Sequence, residues 1–272
     1  MKILNEENRN IIMLKGKTAL ITGSTSGIGL ATAHTLAEQG INLVLHGLMN
    51  QAEGSALAEE FATKYNIKTL FDNANLMDSD AISAFMNNAL KVMGSINILI
   101  NNAGIQHTEG VDTFPESKWN AIIAINLTAA FHTIQQSLPS MKADGWGRII
   151  NIASVHGLVA SLNKSAYVAA KHGLIGLTKV VALECAEQGI TANSICPGWV
   201  DTPLINNQIN EIAQKEDVEF EQAKYNLVTA KQPLPEMMNP NQIGEFILFL
   251  CSDSARSITG ASLPMDGAWT AQ

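Results

Sequence analysis

The stretch ITGSTSGIGLA, residues 21–31, places Gly23, Gly27 and Gly29 directly after the short apolar run TALIT (18–22). The segment that follows has helical spacing and ends in a glycine, which commonly stops a helix. A turn of this kind lets backbone N–H groups at a helix N-terminus approach a pyrophosphate closely. The stretch therefore predicts a strand, a glycine turn and a helix that together hold the phosphates of a dinucleotide.

Apolar, strand-like runs alternate with amphipathic helical segments along the rest of the chain. Runs that are apolar throughout are typical of parallel strands buried on both faces. The predicted fold class is therefore α/β: a Rossmann-like, doubly wound parallel sheet of about seven strands with helices on both faces. The predicted strands lie at 18–22, 41–47, 67–71, 96–104, 147–154, 190–198 and 261–265. The predicted helices lie at 27–40, 51–65, 79–93, 118–142, around Tyr167 and at 241–252.

Neither a repeat nor a Pro/Ser-rich linker divides the chain, so a single dinucleotide-binding catalytic domain is predicted over residues 13–272. Residues 1–12 are predicted to be an N-terminal extension, because MLKGKTALITG from residue 13 reads like the start of a domain. Residues 201–235 are polar, largely helical in pattern and bracketed by prolines. This pattern predicts a helical insertion over the edge of the sheet.

The composition argues against several classes of function. Hydrophobic residues make up 46% of the 272 residues and charged residues 15%, as in globular proteins and unlike disordered chains. The net charge of −8 and the lack of a Lys/Arg cluster argue against nucleic acid as a partner. No apolar run approaches the length of a membrane span, and the polar N-terminus is unlike a signal peptide. Three cysteines without CxxC spacing, Cys185, Cys196 and Cys251, favour reduced thiols and a cytoplasmic location.

The stretch SAYVAAKHG, residues 165–173, sets Tyr167 and Lys171 one helical turn apart among small residues. Alone, this spacing is common by chance, and a surface helix with an extended lysine explains it better. Further motifs decide between the two interpretations. They are the glycine turn, NNAG at 101–104, and Ser154 at the end of a predicted strand.

In this order, the motifs resemble those of the short-chain dehydrogenase/reductase family, from about residue 14 to the end of the chain. The resemblance implies an oxidoreductase with a nicotinamide cofactor and a catalytic group of Asn126, Ser154, Tyr167 and Lys171. Asn126 belongs to this group through its place in IAINLTAAF, between NNAG and Ser154.

The pair of Tyr167 and Lys171 then has a chemical role. A free tyrosine has a pKa near ~10, which is too high for a base at neutral pH. The Lys171 ammonium and the positive ring of an oxidised nicotinamide both favour the phenolate, so we expect the pKa of Tyr167 to be lowered. Ser154 is expected to hydrogen-bond the reacting oxygen, and Asn126 to anchor a water relay behind Lys171.

NAD is the expected cofactor. An acid after the second strand commonly binds the 2′-OH of the adenosine ribose, and VLHGLMN (44–50) has none. Neither this region nor GSTSG (23–27) offers a cation for the 2′-phosphate of NADP, whose burial would be costly. Asn75 stands where the family often has Asp, and Ala268 where Gly is usual. The resemblance implies cofactor contacts by Gly23, Thr25, Gly27, Ile28, Gly29, Leu48, Asn75, Leu76, Asn102, Ala103, Gly104, Tyr167, Lys171, Pro197, Gly198, Val200 and Thr202.

Polar side chains that flank the catalytic group indicate a site for a small anion, although each of them alone is explained as well by a surface position. A closer resemblance, to the branch of the family that acts on a short 3-hydroxy acid, runs from NNAGIQHT through ITANSICPGWVDTPL. It implies that Gln106, His156, Lys164 and Gln208 contact the substrate carboxylate and that 201–235 forms a lid. The expected substrate contacts are Gln106, Ser154, His156, Lys164, Tyr167, Trp199, Gln208 and Trp269, and no metal site is expected.

The favoured interpretation is an NAD-dependent dehydrogenase of a short 3-hydroxy acid, in a homotetramer by family habit. One alternative is an NADPH-dependent 3-oxoacyl carrier-protein reductase, which should carry a basic residue at the cofactor phosphate and a basic patch for its carrier. Another short-chain dehydrogenase of a small hydroxy acid is a third possibility. A non-catalytic NAD sensor should have lost Tyr167, Lys171 or Ser154, and all three are present.

Overall fold

The structure, a computed structural model that describes residues 14–271, is built on one seven-stranded parallel sheet. Its strands are β1 Thr18–Ile21, β2 Asn42–His46, β3 Thr69–Asp72, β4 Ile98–Asn101, β5 Gly147–Ile152, β6 Ile190–Pro197 and β7 Ser262–Met265. They lie in the order β3-β2-β1-β4-β5-β6-β7, which confirms the predicted doubly wound sheet. The predicted extension, residues 1–12, lies outside the described residues.

Helices connect the strands on both faces of the sheet. In the described part of the chain they are α1 Gly27–Glu38, α2 Gln51–Tyr65, α3 Ser79–Met93, α4 Glu116–Ile123, α5 Ala129–Asp144, α6 Ser165–Cys185, α7 Pro203–Glu216, α8 Phe220–Thr229 and α9 Pro240–Cys251. The predicted insertion, 201–235, follows β6 and precedes β7 in the chain. It contains α7 and α8, which pack against each other.

Alternate residues of the strands enter two different hydrophobic clusters, one on each face of the sheet. Leu43 and Leu45 of β2 pack in one cluster with Phe61 of α2, whereas Val44 packs in the other with Phe85 of α3. This is why the strands read as continuous apolar runs: a strand with two dry faces has no position left for a solvated side chain.

The strand order reverses between β1 and β4. The chain leaves β1 for one half of the sheet and leaves β4 for the other, so the loops after these strands diverge. In open parallel sheets the crevice between such loops is where ligands bind. The fold therefore places the glycine turn and NNAG at the same crevice.

The helix predicted at 118–142 is interrupted in the structure. A π-helical turn, Ala124–Thr128, separates α4 from α5 and carries Asn126. Both ends of the Asn126 amide bond the backbone of Ile105: Oδ1 accepts from its N–H and Nδ2 donates to its carbonyl, each at 2.9 Å. Such turns are frequent at functional sites, and the apolar spacing did not reveal this one because it continues across the turn.

The expectation that no apolar run could span a membrane was wrong for one segment. Among the described residues, the helix Ser165–Gln188 is long and apolar enough by length and composition. Of its most apolar stretch 44% is buried, and Leu174, Val181 and Ala182 lie in the core beside the sheet. Its apolar character is thus partly explained by packing against β5 and β6.

Candidate active site

The glycine turn is shaped by positions that exclude a side chain. Gly23 and Gly27 have φ of +65° and +52°, in the left-handed region that favours glycine. A Cβ on Gly29 would lie 2.2 Å from the carbonyl oxygen of Gly23, so only glycine lets α1 start this close to the turn. Ala103 confines Gly23 from the other side, with its Cα 3.0 Å from the position of an added Cβ.

A cleft of about 540 Å³ runs along this edge of the sheet, from Leu48 and Asn75 at one end to Tyr167 and Lys171 at the other. The predicted cofactor residues line it with one exception. The exception is Gly29, which packs α1 against the turn instead.

The phosphate-binding part of the cleft offers backbone donors. Ser26, Gly27 and Ile28, at the start of α1, line it, and no side chain caps this helix end. The free N–H groups and the positive end of the helix dipole suit a pyrophosphate. The residues present therefore fit a dinucleotide.

His46, the last residue of β2, also lines the cleft. The sequence indicated only that this region lacks an acid. It gave no sign that His46 is 98% buried and that its ring is hydrogen-bonded on both nitrogens, because those contacts come from two other loops.

The predicted catalytic residues meet at the far end of the cleft. The Ser154 hydroxyl is hydrogen-bonded to the Tyr167 hydroxyl. Lys171 Nζ donates to the Ile152 carbonyl at 2.7 Å and lies 5.5 Å from the centroid of the Tyr167 ring. Asn126 is close by, since a Cβ added to Gly104 would lie 3.5 Å from Asn126 Oδ1 and 3.7 Å from Lys171 Nζ.

Burial dominates the proton affinities here. It lowers the pKa of Lys171 to about 8, and it raises the pKa of Tyr167, an effect that the hydrogen bond from Ser154 partly offsets. The expected lowering of the Tyr167 pKa is therefore not produced by this chain alone. The Lys171 ammonium hydrogen-bonds the Ile152 carbonyl, on the strand side, and not the phenol.

A chain of polar side chains lies beside the catalytic group. Lys164 Nζ donates to Gln106 Oε1 at 3.4 Å, and Gln106 Nε2 donates to Gln208 Oε1 at 3.5 Å. Gln106 lies in the loop after β4, Lys164 at the start of α6 and Gln208 in the insertion helix α7. Lys164 is the N-cap residue of α6, one position before the helix begins.

His156 connects this chain to the catalytic residues. Its Nδ1 lies 3.4 Å from Ser154 Oγ, and its ring contacts Tyr167 edge-on at 5.9 Å between centroids. Burial, reinforced by the nearby Lys164 charge, lowers the pKa of His156 to about 4. The ring is therefore neutral at physiological pH.

Two tryptophans form the wall of the same region. Trp269 contacts the His156 ring at 5.5 Å between centroids, and Trp199 contacts Trp269 at 5.6 Å. Lys164 Nζ lies 5.8 Å from the centroid of Trp199. The structure thus brings the predicted substrate residues into one connected group.

Comparisons with known proteins agree with this geometry. A family model described as short chain dehydrogenase matches residues 17–213. The chain is 52% identical to the D-beta-hydroxybutyrate dehydrogenase of Cupriavidus necator over 260 residues, 96% of this chain and 100% of the relative. It is 48% identical to the enzyme of that name from Rhizobium meliloti over 256 residues, 94% of this chain and 99% of the relative. Among solved structures, L-sorbose reductase from Gluconobacter frateurii, complexed with NADPH and L-sorbose, is similar with a TM-score of 0.89. It shares 27% identity, over 93% of this chain and 96% of that chain.

Proposed function

The chain belongs to the short-chain dehydrogenase family, and from this premise we propose that it interconverts D-3-hydroxybutyrate and acetoacetate with NAD as cofactor. The branch that the sequence resembles, which acts on a short 3-hydroxy acid, is that of D-3-hydroxybutyrate dehydrogenase. The two relatives of that name support this substrate over the alternatives.

The observation that carries the proposal is the state of Lys164. Its ammonium is partly buried and donates to an amide oxygen, and among the described residues no carboxylate forms an ion pair with it. A buried cation gains most from an opposite charge that also accepts its hydrogen bonds. A small carboxylate between Lys164, Gln106 and Gln208 supplies that charge, with its 3-hydroxyl directed towards Tyr167.

The catalytic residues divide the chemistry of oxidation. Ser154 hydrogen-bonds the substrate oxygen, and Tyr167 accepts its proton as the phenolate. A bound oxidised nicotinamide would supply the hydride acceptor for C3 and a positive charge that favours the phenolate. Lys171, with a pKa of about 8, can pass the proton from Tyr167 on towards solvent at near-neutral pH. Asn126, fixed on Ile105, anchors the water of that relay.

The adenine end of the cleft supports NAD. Leu48 and Asn75 lie there, together with Leu76 and Met77, and these residues carry no charge. A 2′-phosphate would therefore be bound without a cation. The runner-up, a carrier-protein-linked reductase that uses NADPH, needs such a cation and a basic patch on the surface.

We also propose that the chain forms one catalytic domain with a lid of α7 and α8. It is proposed to act as a homotetramer in the cytoplasm, without nucleic-acid or membrane partners. Exposed apolar residues on neighbouring helices, Trp119, Phe131, Val180 and Leu183, support association. Light scattering on the eluting protein measures the oligomeric state directly.

Initial rates with D- and L-3-hydroxybutyrate, each with NAD and with NADP, test the proposed function. The D acid with NAD should give the highest kcat/KM. Faster reduction of an acetoacetyl carrier protein with NADPH would favour the runner-up, and no turnover with any pair would support a sensor.

A further inference from the structure

The imidazole of His46 lies between two loops that both line the cofactor cleft. His46 is 98% buried at the end of β2, and nothing in the catalytic chemistry uses its ring. Nδ1 lies 3.2 Å from the backbone nitrogen of Gly23, and Nε2 lies 2.9 Å from the carbonyl oxygen of Ala74. Gly23 belongs to the turn after β1, and Ala74 immediately precedes Asn75 in the loop after β3.

These two contacts fix the protonation of the ring. The Gly23 N–H can only donate, so Nδ1 must be the bare, accepting nitrogen. The Ala74 carbonyl can only accept, so Nε2 must carry the proton. A doubly protonated ring would set its Nδ1–H against the Gly23 N–H and remove that hydrogen bond.

Gly23 is held from its other side as well. Its carbonyl accepts a hydrogen bond from Asn102 Nδ2 at 2.9 Å, and its φ of +65° is the backbone conformation that the tight turn requires. The backbone of His46 bonds the next residue, since Ser24 N donates to the His46 carbonyl at 2.8 Å. The ring is therefore the contact that orients the Gly23 N–H itself and couples it to the loop of Asn75.

We propose that His46 is a positioning residue for cofactor binding: as the neutral Nε2–H tautomer it ties the glycine turn to the loop after β3, and dinucleotide affinity depends on that tautomer. The proposal rests on the cofactor part of the proposed function. It goes beyond that part because it assigns to His46 a role that acts through Gly23 and the loop of Asn75.

The surroundings of the ring support the neutral form. Burial lowers the pKa of His46 below its usual 6.5, against the hydrogen bond to Ala74 and the charge of Asp72, its register partner on β3. Phe85 of α3 adds an aromatic ring at 5.4 Å between centroids, and Ser24 a hydroxyl that accepts from the His46 N–H at 2.9 Å. Since the folded pKa is depressed, the ring in the folded protein is neutral above about pH 6.5. It becomes doubly protonated only as the pH falls through the folded pKa.

The test measures binding of ADP-ribose by calorimetry from about pH 8 to about pH 5. This probe reaches the turn without the nicotinamide, so Tyr167 and His156 stay outside the measurement. Wild-type affinity should be constant while the ring is neutral and weaken by about fivefold or more once the pH falls below the folded pKa of His46, as expected for loss of a hydrogen bond. Affinity that stays constant while NMR shows the His46 ring becoming doubly protonated overturns the proposal, and no binding at any pH overturns the cofactor part of the proposed function with it.

Two variants separate positioning from space filling. Asn places an acceptor where Nδ1 stands, so His46→Asn should bind ADP-ribose within about threefold of wild type and lose the acid dependence. Gln reaches only the Nε2 position, so His46→Gln should bind about tenfold more weakly throughout. Equal or tighter binding by His46→Gln would mean that the ring only fills space. His34→Asn is the matched control, because His34 is tied to Tyr65 through its own Nδ1 at 2.8 Å but does not line the cleft.

A measurement on the unaltered protein keeps the proposal testable if the variants do not fold. Nitrogen chemical shifts of the imidazole, recorded by NMR on free wild-type enzyme at about pH 7.5, report which nitrogen carries the proton. A bare Nδ1 and a protonated Nε2 are expected for His46. The opposite tautomer, or a charged ring, overturns the proposal.

Discussion

Two regions of the active site are built from different material: the phosphate-binding part of the cleft, here called the phosphate end, and the group of Lys164, Gln106 and Gln208 beside the catalytic residues, here called the substrate end. The phosphate end consists of backbone: the turn at Gly23 and Gly27 and the open start of α1. The substrate end consists of side chains, Lys164, Gln106 and Gln208, which three separate segments bring together. A backbone site needs glycines at fixed spacing and is visible in a short motif. A side-chain site has no such spacing and becomes visible only when the fold joins its parts.

Tyr167→Phe tests the point where the two ends meet and should have the largest effect. It removes the hydroxyl that takes the substrate proton, and general acid–base groups contribute roughly 10²–10⁴-fold to rate. We expect kcat to fall by that range while NADH affinity, measured by fluorescence, is nearly unchanged. A variant that keeps more than half of the wild-type kcat would remove Tyr167 from the proposed role.

His156 tests the electrostatics of the substrate end. Its pKa is about 4 in the folded protein against about 6.5 unfolded, so the unfolded chain binds the proton first as pH falls. The stabilisation is complete above about pH 6.5 and is lost between that value and about 4, by up to about 3 kcal/mol.

Urea denaturation at neutral and acid pH measures this loss. His156→Gln should lose less stability on acidification than wild type, whereas the control His132→Gln should follow wild type. An acid loss in His156→Gln as large as that of wild type would mean that His156 does not hold a depressed pKa.

The adenine end is tested by cofactor choice. NAD should exceed NADP in kcat/KM by at least about tenfold, because a hydrogen bond to a charged group contributes roughly 1.5–3 kcal/mol and the 2′-phosphate finds no cation there. Leu48→Arg, at a side chain that is 81% exposed, should narrow the preference. Equal values for the two cofactors in wild type would show that backbone groups alone accommodate the phosphate.

The smallest effect is expected at Ala268, beside the Trp269 wall. Its φ of +70° is strained for a residue with a Cβ. Ala268→Gly should raise stability by up to about 1 kcal/mol, or Tm by roughly 2–3 °C, because relief of strain outweighs the entropy of glycine in the unfolded chain. Ala271→Gly, in the same turn, should give no gain. A lower Tm for Ala268→Gly would show that its methyl group contributes more through packing than it costs.

The sequence predicted the sheet because strands buried on both faces and helices buried on one face each produce a recognisable apolar pattern. It did not predict the π-helical turn at Asn126, where the helical pattern continues unbroken. It also did not predict how strongly burial acts on Tyr167, whose pKa is raised in the chain without its cofactor. These features depend on what the other segments place around each side chain, and no local pattern encodes that.

Lys164→Ala, assayed with the acid and with its neutral methyl ester, tests the central claim that the substrate end, formed by Lys164, Gln106 and Gln208, is a carboxylate site. A charged hydrogen bond contributes roughly 1.5–3 kcal/mol, so KM for D-3-hydroxybutyrate should rise at least about tenfold. KM for NAD should hardly change, and Lys118→Ala, at an exposed lysine, should behave as wild type. The account predicts that the variant loses most of the wild-type preference for the acid over the ester. A variant that discriminates acid from ester as well as wild type does would contradict it.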